Sequence, residues 1–326
     1  MNDAFAALLR EIPQIGIDWH AERLLEHSFA NAPRAFDSIR DVPPAETDVL
    51  IISAGPSLHR NRILERVEAM RPTPLIVAID GSYVQCLRAG IHPRYVVTLD
   101  PHPTRIVRWF GDPNLAANSA GDDYFARQDL DEAFRADAER VNAENILLLD
   151  EHADMTSLIM SCTTPPNVEE RTRGRWYRYW FAPLVDHPDA AGSLTRRMAE
   201  ITGLPSLNTG GTVGTAAVMF AHRVLKARRI AVVGMDLGYA ADTPLERTQS
   251  WNMLKDRKDV ADLYPCVVHP QWGACFTDPT YWHYRNGLLS LLKSADRTLY
   301  NCTEGGTLFG PRVRCMRLEE WADGKD

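Results

Sequence analysis

Three aspartates in this sequence follow short apolar runs: Asp80 after residues 75–79, Asp100 after 94–99, and Asp236 after 229–233 and a Gly-Met pair. A fourth run, Val49-Leu50-Ile51-Ile52, leads into Ser53-Ala54-Gly55-Pro56-Ser57-Leu58. Gly55 permits a sharp turn and brings bare backbone close to a ligand, Pro56 suits a first helical turn, and Ser57 is a capping residue. A helix start offers free N–H groups and partial positive charge, which suits phosphate; an ordinary strand-to-helix turn has the same sequence. A second small-residue turn, Asn208-Thr209-Gly210-Gly211-Thr212-Val213-Gly214-Thr215, opens a helix and sets the hydroxyls of Thr212 and Thr215 in its first turn. It reads either as a polar wall for a ligand or as a close helix–sheet contact. A third such turn is Thr303-Glu304-Gly305-Gly306. Between them lies a stretch of arginines and aromatics, including Arg171, Arg173, Arg175, Trp176, Tyr177, Arg178, Tyr179, Trp180 and Phe181. Such a mixture clasps phosphate and stacks on a planar ring, and it equally marks protein contact surfaces.

The elements that must position these residues follow from hydrophobic periodicity. Residues 1–47 read as a helical leader, with Phe5, Leu8, Leu9 and Ile12 at helical spacing and Pro43-Pro44 at its end; its role would be a packing or homo-oligomerisation arm. Strands are expected at 49–52, 75–79, 94–99, 146–149, 229–233 and 297–301, and helices at 59–70, 82–89, from Thr212 to about 226, and at 279–295. Residues 163–188 read as a loop, 171–181 acting as a lid. Strands alternating with helices predict a parallel sheet with right-handed crossovers. The expected fold class is therefore α/β, a doubly wound, mostly parallel Rossmann-like sheet with helices on both faces. Ligands of such sheets bind outside the carboxyl ends of the strands, the edge where Gly55, Asp80 and Asp100 fall.

Composition narrows the function classes. The chain has 326 residues, 45% hydrophobic and 24% charged, with a net charge of −7. That balance is ordinary for a globular protein and speaks against nucleic acid as the partner. No apolar run approaches the roughly 20 residues of a membrane span. The N-terminal stretch is amphipathic and carries acids, unlike a signal peptide. The cysteines, Cys86, Cys162, Cys266, Cys275, Cys302 and Cys315, form no CxxC pair, which fits a reducing, cytoplasmic setting.

Taken in order, Ser53-Ala54-Gly55-Pro56-Ser57-Leu58, Ala78-Ile79-Asp80-Gly81, Gly90-Ile91-His92-Pro93 through Thr98-Leu99-Asp100, Gly210-Gly211-Thr212 through Gly234-Met235-Asp236-Leu237, and Asn301-Cys302-Thr303-Glu304-Gly305-Gly306 resemble the MptE-like domain. That domain is shared by archaeal 6-hydroxymethylpterin diphosphokinases and bacterial motility accessory factors (Maf), whose core resembles sialyltransferases that use CMP-activated sugars. The resemblance divides the chain into the leader 1–47, a nucleotide-binding α/β domain over 48–315 and a tail 316–326. It implies a transferase acting on a nucleotide or nucleotide-sugar, with a small-molecule or protein acceptor. Related pyrophosphokinases carry an aspartate-rich run where this chain has Leu99-Asp100-Pro101-His102, and Arg94 stands where an acid is common; both departures point to the Maf branch. In that leading reading no cofactor is required, Gly55, Pro56, Ser57 and Leu58 hold the nucleotide phosphate, and Gly211, Thr212 and Thr215 line the donor. Asp236 binds ribose or sugar hydroxyls, and His283 is the base toward the acceptor. Asp80, Gly81, Asp100, Gly210, Thr303, Glu304, Gly305 and Gly306 complete the nucleotide-binding set. The alternatives are an ATP-dependent diphosphokinase with Mg²⁺ on Asp80 and Asp100, and a nucleotide binder without catalysis.

Overall fold

The structure is a computed structural model that describes residues 2–34, 37–103, 109–118 and 133–324. In chain order, helix α1 is Asp3–Asn31 and strand β1 is Val49–Ile52, followed by the short helices α2 (Ser57–Arg60) and α3 (Ile63–Glu68). Next come β2 (Leu75–Ile79), α4 (Asp80–Arg88), β3 (Tyr95–Thr98), α5 (Ala133–Glu151), β4 (Ser157–Ser161), α6 (Pro166–Thr172) and β5 (Tyr177–Leu184). The chain continues through α7 (Leu194–Thr202), β6 (Ser206–Asn208), α8 (Val213–Arg223), β7 (Ile230–Val233) and β8 (Tyr239–Ala240). It ends with β9 (Cys266–His269), β10 (Gly273–Phe276), α9 (Pro279–Ser294), β11 (Leu299–Asn301), β12 (Val313–Cys315) and α10 (Leu318–Ala322). The α/β, Rossmann-like arrangement with a helical leader is the one expected. No helix of the described residues is long and apolar enough to cross a membrane.

The chain forms two compact units, interleaved in sequence. One comprises Met1–Trp19, Thr47–Pro74 and Ala227–Asp326. Its parallel strands run in the order β12-β11-β7-β1, with Val49 opposite Ile230 and Ile52 opposite Val233. All eight side chains of β1 and β7 are buried, as strands covered on both faces require. A small antiparallel sheet, β8-β10-β9, belongs to the same unit. Phe5, Leu8 and Ile12 of α1 pack with Tyr239, Leu254, Leu263 and Tyr264. In the C-terminal segment, Leu318 and Trp321 are buried and Arg229 lies over the Trp321 ring at 5.2 Å.

The other unit comprises His20–Glu46 and Leu75–Lys226. Its strands run β2-β3-β4-β5-β6, all parallel. The C-terminal part of α1 docks on the loop after β4. Asn31 donates to the carbonyls of Cys162 and Thr164 at 2.9 and 2.7 Å, and the His27 ring bonds the Thr163 carbonyl at 2.9 Å.

Several expected elements differ. Residues 146–149 lie inside α5: the buried positions Asn142, Asn145 and Leu149 recur at helical spacing, and Leu147 between them is 75% exposed. The fourth strand is instead Ser157–Ser161, buried throughout. The expected loop 163–188 holds α6 and β5, with Trp180, Phe181 and Ala182 buried on the strand. The expected helix 59–70 is broken at Arg62, whose φ of 49° is left-handed.

Candidate active site

The first unit centres on the ends of β1 and β7. Beyond β1 the backbone stays tied to its neighbour: Ser53 N–H donates to Val233 O at 2.9 Å and Gly55 N–H to Gly234 O at 2.8 Å. This brings Gly55 against Asp236. A Cβ at residue 55 would lie 2.5 Å from Gly234 O and 2.9 Å from Asp236 Cγ, with Oδ2 nearer still. The close approach that Gly55 serves in the structure is therefore to this carboxyl group. Ser57 Oγ–H donates to Asp236 Oδ2 at 2.7 Å, and Ser57 N–H approaches the same oxygen at 3.4 Å. Leu58 N–H turns back to Gly55 O at 3.1 Å, and Pro56 has no N–H. The donors of the turn at Gly55, Pro56, Ser57 and Leu58 are thus engaged within the chain, around a carboxyl group.

Asp236 itself is partly accessible. Its surroundings strip it of water and push its pKa up to about 6, against the pull of the Ser57 hydrogen bonds. The Ser57 hydroxyl and backbone N–H both fall on Oδ2, the backbone N–H of Asp236 also supports the carboxyl group, and no other residue bonds Oδ1 among the described residues. The turn after β11 backs this arrangement. Gly306 has φ 72°, and a Cβ there would lie 2.6 Å from Asp236 Cα. Thr307 N–H donates to Asp236 O at 2.8 Å, and Thr303 Oγ1 accepts from Met235 N–H at 3.1 Å. Glu304 pairs with Arg66 at 2.5 Å and accepts from Leu318 N–H at 3.3 Å, while the space around Gly305 is open. His283 is half-buried on α9, edge-on to Tyr284 at 5.8 Å, and burial lowers its pKa. No hydrogen bond or ring contact joins it to Asp236 among the described residues.

In the second unit Asp80 follows β2 and is 1% exposed. Its Oδ2 accepts from Thr98 Oγ1 at 2.9 Å and its Oδ1 from Gly81 N–H at 2.8 Å. Asp100 Oδ1 caps His102 N–H at 2.9 Å. A magnesium ion on Asp80 and Asp100 does not fit this arrangement, because Asp80 is enclosed and both its oxygens already accept. Among the described residues no group of three His, Cys, Asp or Glu is arranged to hold a metal ion. Gly210 and Gly211 take φ of 54° and 85°, and Gly210 N–H donates to Asn208 Oδ1 at 3.1 Å. Thr212 caps α8, accepting from Thr215 N–H at 3.0 Å and donating to Thr215 Oγ1 at 3.2 Å.

The arginine–aromatic stretch is an internal ion network. Glu169, with a fully buried side chain, receives Arg34, Arg173 and Arg178 at 3.2, 2.6 and 2.8 Å; against its burial, Arg173 and Arg178 hold its pKa below the usual range. Arg171 and Arg175 both bind Asp150, at 2.6 and 3.1 Å. Reading 171–181 as a lid does not hold: its arginines are spoken for and its aromatics build a strand. The sequence reading passed over His27. A carbonyl only accepts, so the bond to Thr163 O puts the proton on Nδ1, and burial lowers the pKa.

Comparison with known proteins finds a family match over part of the chain. Residues 22–112 match the family of 6-hydroxymethylpterin diphosphokinase MptE-like proteins. The matching segment holds the 55–58 turn, Asp80 and Asp100. Among solved structures the chain is similar to the Maf glycosyltransferase from Magnetospirillum magneticum AMB-1, with a TM-score of 0.54 and 16% identity, over 90% of this chain and 37% of that one. At that identity the likeness speaks for the fold, and the chain spans little more than a third of that protein's length. No curated protein matches.

Proposed function

We propose that the protein is a glycosyltransferase-like enzyme that uses a nucleotide-activated, CMP-type acidic sugar, with Asp236 as the group that accepts the proton of the acceptor hydroxyl. The observation that carries this is the state of Asp236: Oδ2 is fixed by Ser57, no other residue bonds Oδ1 among the described residues, and the pKa is pushed up to about 6. A base works best when its pKa approaches the working pH. In the proposed step the acceptor oxygen forms a bond to the anomeric carbon as that carbon's bond to the phosphate oxygen breaks. The acceptor proton passes to Oδ1, and the nucleoside monophosphate leaves with the bonding electrons. The role moves from His283 to Asp236, because Asp236 is the group held at a strand end by its neighbours.

The enclosure of Asp80 is the reason to prefer this reading over Mg²⁺-dependent pyrophosphoryl transfer. The test compares thermal stabilisation by CMP with that by ATP and Mg²⁺, since a ligand that binds only the native state raises the melting temperature. CMP should stabilise without metal. Stabilisation by ATP only in the presence of Mg²⁺ would replace this reading with the diphosphokinase one.

A further inference from the structure

In the first unit, β9, the turn after it and α9 carry donors that have no acceptor, and His269 of β9 and Arg285 of α9 both contact the Phe309 ring. His269 ends β9 and is 2% exposed. Its Nδ1 accepts from Gln271 N–H at 3.0 Å and Trp272 N–H at 3.2 Å. A nitrogen that accepts carries no proton, so the ring proton sits on Nε2. That Nε2–H is buried with no hydrogen-bond partner among the described residues, and so is Trp272 Nε1–H. The two rings are 6.2 Å apart. Phe309 stands edge-on to His269 at 5.0 Å, and the Arg285 guanidinium lies 5.1 Å from the same Phe309 ring and 4.4 Å from that of Trp282.

Arg285 is 8% exposed. It donates to Thr307 O at 2.6 Å, Phe309 O at 2.5 Å and Asn286 Oδ1 at 3.1 Å. No carboxylate pairs with it among the described residues, and one N–H on each terminal nitrogen has no assigned acceptor there. A buried donor without an acceptor costs about 1–3 kcal/mol, and buried cations are ordinarily paired. Every unassigned polar atom in this cluster is a donor, and its one charge is positive.

We propose that His269, Trp272 and Arg285 form an oxyanion-binding site that takes a carboxylate or phosphate group of a small-molecule ligand. The site uses no atom of the Asp236 carboxyl group and stands apart from the reading above. It is nonetheless adjacent: Arg285 Nε–H bonds Thr307 O, and Thr307 N–H bonds Asp236 O.

The test titrates the full chain at constant ionic strength with N-acetylneuraminate and, separately, inorganic phosphate. Chloride and neutral N-acetylglucosamine serve as controls, and both affinity and melting temperature are read. Trp272→Phe removes one N–H and keeps an aromatic ring; Arg285→Lys keeps the charge and removes the fork. At least one oxyanion should bind saturably and raise the melting temperature beyond the controls. Trp272→Phe should weaken that binding about ten- to a hundredfold, the loss of one hydrogen bond to a charged group. Neuraminate alone would identify a sugar carboxylate, and phosphate alone a phosphoryl group. The proposal is overturned if neither exceeds the controls, or if Trp272→Phe changes the melting temperature and leaves the affinity as it was. Should Arg285→Lys fail to fold, Trp272→Phe decides.

Discussion

Gly55→Ala isolates the contact on which the candidate site is built. The added methyl would lie 2.5 Å from a backbone carbonyl oxygen, that of Gly234, and 2.9 Å from Asp236 Cγ. Gly234 cannot retreat freely, because its own φ is 68° and its carbonyl accepts the Gly55 N–H at 2.8 Å. Relief must come from Asp236 and from the turn, at the expense of the Ser57 hydrogen bond. Forcing a methyl into a packed site costs about 1–3 kcal/mol, and a hydrogen bond to a charged group is worth about 1.5–3 kcal/mol. Together the loss is about 2.5–6 kcal/mol, a large share of the 5–15 kcal/mol that ordinarily holds a domain together. The assay is equilibrium denaturation of wild type, Gly55→Ala, Asp236→Ala and the double variant. Removing the carboxyl group relieves part of the clash, so the double variant should be more stable than the sum of single effects allows, by at least about 1 kcal/mol. A Gly55→Ala protein within about 0.5 kcal/mol of wild type would refute the close approach, since that is the range of an indifferent surface change.

Asp236, whose pKa is raised from 3.8 to about 6 in the fold, binds more protons folded than unfolded between those values. Stability should therefore fall as pH rises from about 4 to 6 and level off above, by up to about 3 kcal/mol; urea denaturation of Asp236→Asn should lack this slope. If Asp236 is the base, kcat/KM should fall as pH drops below about 6, and Asp236→Asn should remove that limb along with the activity. Glu169→Gln leaves three arginines facing a neutral group and should cost about 3–5 kcal/mol by urea denaturation. Thr98→Val deprives the enclosed Asp80 of one donor and should cost about 1–3 kcal/mol, with no stabilisation by Mg²⁺ in either the variant or the wild type.

How far the sequence announced all this depended on where the signal lay. β1, β2 and β7 were legible because their apolar runs are short, β-branched and followed at once by a turn. The run at 146–149 had the same composition, but its burial follows a helical period set by two asparagines, Asn142 and Asn145, that hydropathy discounts. β5 was hidden because arginines that look like ligand-binding groups are paired with the buried Glu169 and with Asp150. The turn at 55–58 and Asp236 were each visible. That they need one another was not, because pairing across β1 and β7 is a tertiary fact. His269 and Arg285 had no local motif, since their meaning arises from what surrounds them.

The interleaving of the two units bears on how the protein is made. The chain passes from one unit to the other after Trp19, Glu46, Pro74 and Lys226, so neither unit is a contiguous stretch of sequence. During synthesis β1 emerges long before β7, the partner it needs, because Val49 pairs with Ile230. A ribosome that has delivered the MptE-like segment 22–112 has delivered parts of both units and the whole of neither. The exposed edge of β1 must wait through most of translation, the interval in which unpaired apolar strands aggregate or recruit chaperones. Cutting the gene anywhere between β1 and β7 would part those two strands, whereas slowed synthesis over the same stretch would lengthen the chain's most vulnerable period.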